Sequence, residues 1–379
     1  DLIKIPGKQI LLPVIFYVDG ANTGQFSDLP ITAVKFSLGI FTRKAREKEH
    51  MWRTLGYVPA IPKHKSRGRR LFIDSRHTDG VMAHPDALDD EGEDTDDSVP
   101  KAQDFHTMLS KILESHMTSQ DNGFTWDLPF KDEICAGVEF VLYTPFFKAD
   151  GDEAEKLCGK YTSRTGNVGC LCRYCVCPNE DTDNHLANYP YKTKPQILGL
   201  TIEKDFEALR KMSQQVINNA TYQLRFGSQS DRGIHGACPM EMLHATLLGI
   251  FRCMRDCLFT QMGMTSKLAD TINALAQKYG ELLSRQSDRD YPKTRFAQGV
   301  IRGELMAKEY PGILLCLAAV LRSTEGSEEL KRKRPAVFGQ EGQIEDWILL
   351  IETLLEWEMW LKSDKMSKNH VHGARKRHQ

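Results

Sequence analysis

The chain has 379 residues, 41% of them hydrophobic, and a formal net charge of −1, enough apolar content for a core and enough length for two average domains or one large domain with insertions. That excludes a disordered chain. No apolar run reaches the roughly 18 residues of a spanning helix, Asp1 opens no signal peptide, and a start without Met that runs almost directly into a strand reads as a fragment of a longer protein.

In chain order, residues 11–18 (LLPVIFYV) are an apolar run rich in β-branched and aromatic residues that stops at Asp19-Gly20. This is the pattern of a buried strand delivering a carboxylate at its end. Asp-Gly is also a hairpin signal, so Asp19 taken alone reads first as a turn residue. Residues 31–41 and 51–58 are two more strand-like runs bounded by turn formers, and three strands in quick succession predict an antiparallel meander. Residues 62–100 change character. A basic patch (Lys63, Lys65, Arg67, Arg69, Arg70) precedes the acidic tract DALDDEGEDTDD at 86–97; with so little apolar surface to bury, it cannot offset its ordering entropy and predicts a flexible insertion.

Residues 102–117 place Phe105, Met108, Leu109, Ile112 and Leu113 three and four apart, which predicts an amphipathic helix. Residues 134–147 (ICAGVEFVLYTPFF) are the most strand-like run and lead into Asp150, Gly151, Asp152 and Glu153. The order strand, strand, strand, helix, strand thus carries one Asp beyond the first strand and another beyond the fourth. Next, Cys170, Cys172, Cys175 and Cys177 fall within eight residues. Ten cysteines in so long a chain, four of them in one turn, point to a reducing compartment rather than to a secreted disulfide framework. The C-x-x-C of Cys172 and Cys175 supplies two thiolates to one tetrahedral Zn²⁺, and the remaining ligands must come from elsewhere. His185, in a polar turn-rich stretch, is one competitor for that place.

These motifs in this order, Asp19, then GDEAEKLCGKY from Gly151 and CLCRYC from Cys170, resemble the stretch in transposases of the CACTA and Plavaka groups where a Gly-Asp after a strand precedes a Gly turn and a C-R-x-C pair. The likeness spans residues 19 to about 321, with short individual motifs. It implies an α/β (α+β) fold: a ribonuclease-H-like mixed sheet with a large, mostly helical insertion and a zinc-binding turn. In such a sheet the first and fourth strands lie side by side, so Asp19 and Asp152 become the first two carboxylates of a DD(E/D) triad, with Asp150 the rival for the second place. Two Mg²⁺ or Mn²⁺ ions held there activate the attacking oxygen and stabilise the leaving one in phosphodiester chemistry, and hard cations take oxygen ligands.

Residues 202–222 read as a helix with Phe206, Leu209, Met212, Val216 and Ile217 on one side. A second helix opens at Cys238 and Pro239 and runs through Leu258, with the proline tolerated in its first turn. It puts Glu241 and His244 on one face, where the resembled transposases commonly carry D-x-x-H. His244, with His235 or Cys238, is the expected partner of Cys172 and Cys175 in a structural zinc site; a core histidine bonded to the backbone is the competing reading. Cys253 and Cys257, one turn apart, read as small buried hydrophobes. Residues 268–283 are a further helix. In residues 303–321 (GELMAKEYPGILLCLAAVL) the resemblance assigns the third acid to Glu309, with Glu304 and Glu241 as runners-up. Pro311 is harmless there only if the helix begins near Lys308. Residues 344–361 form a helix carrying Trp347, Trp357 and Trp360, and the basic runs 331–334 and 375–377 are suited to phosphates or to nuclear import.

The expected organisation is a sheet core over 1–160 interrupted at 62–100, a zinc turn with helical insertion over 161–300, a return helix at 301–325 and a C-terminal helix with a basic tail at 326–379. The expected function is that of a nuclear DNA transposase core cleaving and joining strands at transposon ends, acting as a homo-oligomer on DNA and away from membranes, with Mg²⁺ or Mn²⁺ catalytic and Zn²⁺ structural. The alternatives are an inactive or domesticated DNA-binding derivative that keeps the zinc, and a zinc-containing adaptor with no nucleic-acid role. No Gly-x-x-x-x-Gly-Lys-Ser/Thr phosphate loop occurs, which disfavours an ATP-driven role.

Overall fold

The computed structural model describes residues 9–22, 30–59, 98–130, 133–161, 169–184, 186–263, 266–282 and 307–362. The basic patch at 63–70, the acidic tract at 86–97, His185, Glu304 and the basic run at 375–377 lie outside them. The chain divides into two units, Asp1–Met240 and Glu241–Gln379, so the boundary falls inside the stretch read above as one helical insertion.

The first unit is a mixed α/β structure. Strands β1 (Gln9–Asn22), β2 (Pro30–Leu38) and β3 (Arg53–Pro59) form the expected antiparallel meander. β1 does not end at Val18: it continues through Asp19 and Gly20, which pair with Ala33 and Thr32. The turn reading of Asp19 is therefore wrong, because cross-strand pairing with β2 holds the Asp-Gly pair extended. Helix α1 (Ser98–Asn122) follows, beginning inside the stretch read as insertion, and then β4 (Phe124–Phe130), β5 (Glu133–Tyr143) and β6 (Phe147–Ala149). The sheet order is β3-β2-β1-β5-β4, with β6 also paired to β1.

β5 and β6 behave as one interrupted strand beside β1. Pro13 pairs with Tyr143 and Phe16 with Phe147, both in parallel, so one extra residue is accommodated around Pro145, which cannot donate to a ladder. α1 packs across this sheet. Phe105, Leu109 and Leu113 join Val14, Phe16, Val18, Val34 and Phe147 in a buried core. The sequence missed β4, whose Asp127 and Pro129 interrupt its apolar pattern; as an edge strand it tolerates both.

The expected helix over 202–222 is not formed. Instead α2 (Gly151–Leu157) and the cysteine turn lead to α3 (Lys194–Ile202) and α4 (Phe206–Lys211). Lys204 and Ser213 take left-handed backbone angles, and Asp205 caps a fresh helix by accepting from the Ala208 N–H at 3.0 Å. Tertiary hydrogen bonds override the periodicity beyond Lys211. The Ser213 hydroxyl accepts from the Cys170 N–H at 2.9 Å, while Gln214 Nε2 donates to the carbonyls of Cys158 and Gly159 at 2.8 and 2.7 Å. Gly159 sits at φ +63°, where an added Cβ would lie 2.9 Å from both Gln214 Nε2 and Ile217 Cδ1. Gly159→Ala is expected to cost about 1–3 kcal/mol, from left-handed strain plus displacement of Gln214; a thermal melt of the variant measures it, and an unchanged melting temperature would contradict this account.

The second unit is helical. A π-helical stretch (Leu243–Phe251) runs into α5 (Arg252–Met262), followed by α6 (Ser266–Leu282), α7 (Tyr310–Arg322), α8 (Thr324–Lys333) and α9 (Gln343–Leu361). Pro239 stands before the first of these helices rather than in its first turn. The 3₁₀ turn Ala307–Glu309 precedes α7, so Pro311 lies in the first turn of α7 and does no harm. α7 is apolar on nearly every side, with Tyr310, Ile313, Leu314, Cys316, Leu317, Val320 and Leu321 all buried, and it is the axis of this unit's core. α8 was read only as a polar, basic stretch. Ser323 caps it by accepting from the Gly326 N–H at 3.0 Å, and Arg332 of the basic run is held by Glu329. Cys253 and Cys257 are exposed, not the buried hydrophobes expected: the buried face of α5 is taken by Met254, Leu258 and Met262.

Candidate acidic site beside strand β1 and the cysteine turn

The parallel register of β1 and β6 pairs Val18 with Ala149. The next residues, Asp19 and Asp150, therefore emerge side by side, each half-buried. Asp150 is the N-cap of α2, accepting from the Glu153 N–H at 2.7 Å, and Tyr17 donates its hydroxyl to Asp19 Oδ2 at 2.8 Å. Asp152 lies exposed on the first turn of α2, whereas Glu153, the next residue, turns inward and is only 5% exposed.

Glu153 is the residue that sequence reasoning missed. Its Oε1 accepts from Lys156 Nζ at 2.6 Å and lies 3.2 Å from where a Cβ on Gly20 would stand, so the absence of a side chain at position 20 lets the carboxylate approach β1. Its Oε2 is buried without a hydrogen-bond partner. Burial pushes the Glu153 carboxyl above its ordinary value against the pull of Lys156, and the negative charges of Asp150 and Asp19 add to the rise. The only sequence signal was the Glu-x-x-Lys spacing of a helical ion pair.

Carboxylate oxygens, one of them buried and orphaned, are the donor chemistry of a hard cation. Their present rotamers are committed elsewhere, Asp150 to the helix cap and Glu153 to Lys156. Among the described residues no group of three or more His, Cys, Asp or Glu side chains is placed to hold a metal ion. The third expected acid, Glu309, belongs to the second unit, where it is buried immediately before α7. Glu241, also in that unit, accepts at Oε2 from the His244 backbone N–H at 2.8 Å, and His244 Nδ1 lies 3.0 Å from the same oxygen.

In the cysteine turn, Cys172 Sγ accepts from the Tyr174 N–H at 3.4 Å. The Cys175 thiol is pushed up to about 11, chiefly by burial and by its contact with Cys172, while the Cys177 backbone N–H acts in the opposite sense. Cys170 is buried and donates to the carbonyls of Cys172 and Cys175. Lys192, fully buried, donates to the carbonyls of Cys172 and Met212 at 2.8 and 2.7 Å, tying the turn to the loop after α4. Cys172 and Cys175 are thus brought together as expected. Two of the further zinc candidates, His235 and Cys238, are engaged elsewhere. His244 is exposed in the second unit. His235 uses both ring nitrogens, at 3.1 Å from the Arg173 carbonyl and 3.3 Å from the Tyr222 hydroxyl, and is the core histidine with a backbone partner. Cys238 is buried against Cys158, and their contact holds the Cys158 thiol well above its ordinary value. Among the described residues no helix is long and apolar enough to cross a membrane. The chain matches no protein-family model and no curated protein.

Proposed function

We propose that the chain is the catalytic core of a DDE-type DNA transposase, acting in the nucleus as a homo-oligomer on transposon ends and target DNA. The observation that carries this reading is the placement of Asp19 on β1 beside Asp150, the residue just beyond the parallel strand β6, reached through an antiparallel meander and a crossover helix. A parallel strand returning beside β1 after a meander and a helix supports the ribonuclease-H-like reading, with β5 and β6 standing for that fold's fourth strand and β4 an additional antiparallel edge strand. Asp19 and Asp152, with Asp150 as the rival second acid and Glu309 as the third, would hold Mg²⁺ or Mn²⁺. Such ions supply activation of the attacking oxygen and stabilisation of the leaving one. Tyr17 fixes the Asp19 carboxylate through its hydroxyl, and α2 presents the acids that follow β6. Cys172 and Cys175 would supply two thiolates to a structural zinc, with His244 as a further ligand.

A specific observation favours a second reading, a domesticated DNA-binding protein that no longer cleaves. Asp150 is engaged as a helix cap and the neighbouring Glu153 is paired with Lys156, so these two carboxylates are already occupied. One experiment separates the two: nicking of end-bearing DNA by the full chain with Mn²⁺ or Mg²⁺, against Asp19→Asn and Asp152→Asn. The transposase reading expects metal-dependent nicking that falls roughly 10²–10³-fold in each variant, the scale for removal of one charge-stabilising group. Salt-sensitive DNA binding without nicking would leave the second reading.

A further inference from the structure

We propose that Cys253 and Cys257 form a two-thiol site for a soft, two-coordinate cation, of which Cu(I) is the cellular representative. Both cysteines are exposed on α5, one turn apart and therefore on one face of the helix. They line an open groove of about 660 Å³ together with Leu248, Gly249, Arg252 and Asp256.

The ligand chemistry follows from what surrounds them. Asp256, the nearest carboxylate, is held by Arg255 through Nε at 2.8 Å and Nη2 at 2.5 Å on one oxygen, so it does not serve a hard cation. No third ligand completes a tetrahedral zinc site among the described residues. Soft thiolates select Cu(I), and linear coordination needs only two donors. On binding, two S–H bonds break, two S–Cu bonds form and both protons pass to water. The product is an anionic bis-thiolate; the Arg252 guanidinium in the same groove, 3.8 Å from Asp256 Oδ2, lies close enough to moderate its charge. Because binding releases both protons, uptake should strengthen with rising pH.

The test is an anaerobic titration of the reduced full chain with Cu(I) against a chromophoric Cu(I) chelator. The wild type is expected to take up one equivalent more than either Cys253→Ser or Cys257→Ser. Because the chain has other thiols, phenylarsine oxide is used on the wild type as a position-specific probe: its arsenic joins two thiols with loss of one water. Trypsin cuts after Arg252 and Arg255, so an arsenic bridge would hold peptide 253–255 to peptide 256–267. Recovery of that bridged species together with the lost equivalent supports the site. Unchanged copper uptake in the serine variants, or arsenic mapped only to other cysteines, overturns it.

Discussion

Acidification from pH 6.5 towards 4 is expected to destabilise the first unit steeply. His106, His116 and His235 are buried, and burial lowers each from 6.5 to about 4. Hydrogen bonds fix the neutral form of His106: its Nδ1 accepts from the Ala220 N–H at 3.3 Å, which leaves Nε2–H to donate to the Lys156 carbonyl at 2.9 Å. A second ring proton would confront the Ala220 N–H. In the unfolded chain these imidazoles protonate near 6.5. Their contribution to stability is therefore fully present above that value and is lost as the pH falls to about 4, because the unfolded state binds more protons throughout the window. Each site contributes a slope of about 1.4 kcal/mol per pH unit across it. Glu153 and Asp104, whose values are raised by burial, work in the opposite direction, two described carboxyls against three imidazoles. Urea unfolding followed by circular dichroism at stepped pH measures the slope, and a His116→Phe variant should flatten it. A flat profile between pH 4 and 6.5 would refute the account.

Phe16→Ala is expected to cost about 3–5 kcal/mol, the range for deleting a large aromatic from a packed core. Phe16 is fully buried at the centre of β1. Its ring stacks on Phe147 with centroids 4.9 Å apart and meets the His116 ring edge-on, also at 4.9 Å. The substitution therefore removes the side chain that joins β1 to β6 and α1 at once. Phe16→Leu keeps most of the volume and should cost less than about 1.5 kcal/mol. Chemical denaturation of the two variants gives both numbers; a cost below about 1 kcal/mol for the alanine variant would mean that the surrounding side chains collapse into the space.

The meander, the helix over α1 and the strand returning beside β1 were legible because each has one period and one buried face. Phe105, Leu109 and Leu113 announce α1, and the β-branched run before Asp19 announces β1. Residues 202–222 were misread because helical spacing says nothing of Gln214 reaching back to Cys158 and Gly159. The acids that follow β6 were harder still. Asp152 and Glu153 are adjacent, and which of them points towards β1 depends on where α2 begins, a matter settled by the Asp150 cap and by the space above Gly20. Cys253 and Cys257 were misjudged for a related reason: their spacing fixes a shared helical face but not whether that face is buried.

α7 lies among neighbours on almost all sides, and the last of them in sequence among the described residues, α9, begins at Gln343. A growing polypeptide that has not yet released α9 from the ribosome therefore displays a greasy rod with one flank bare. Folding of the second unit has to wait until α9 has emerged, and any nascent or clipped form stopping short of Gln343 should be a ready client for chaperones.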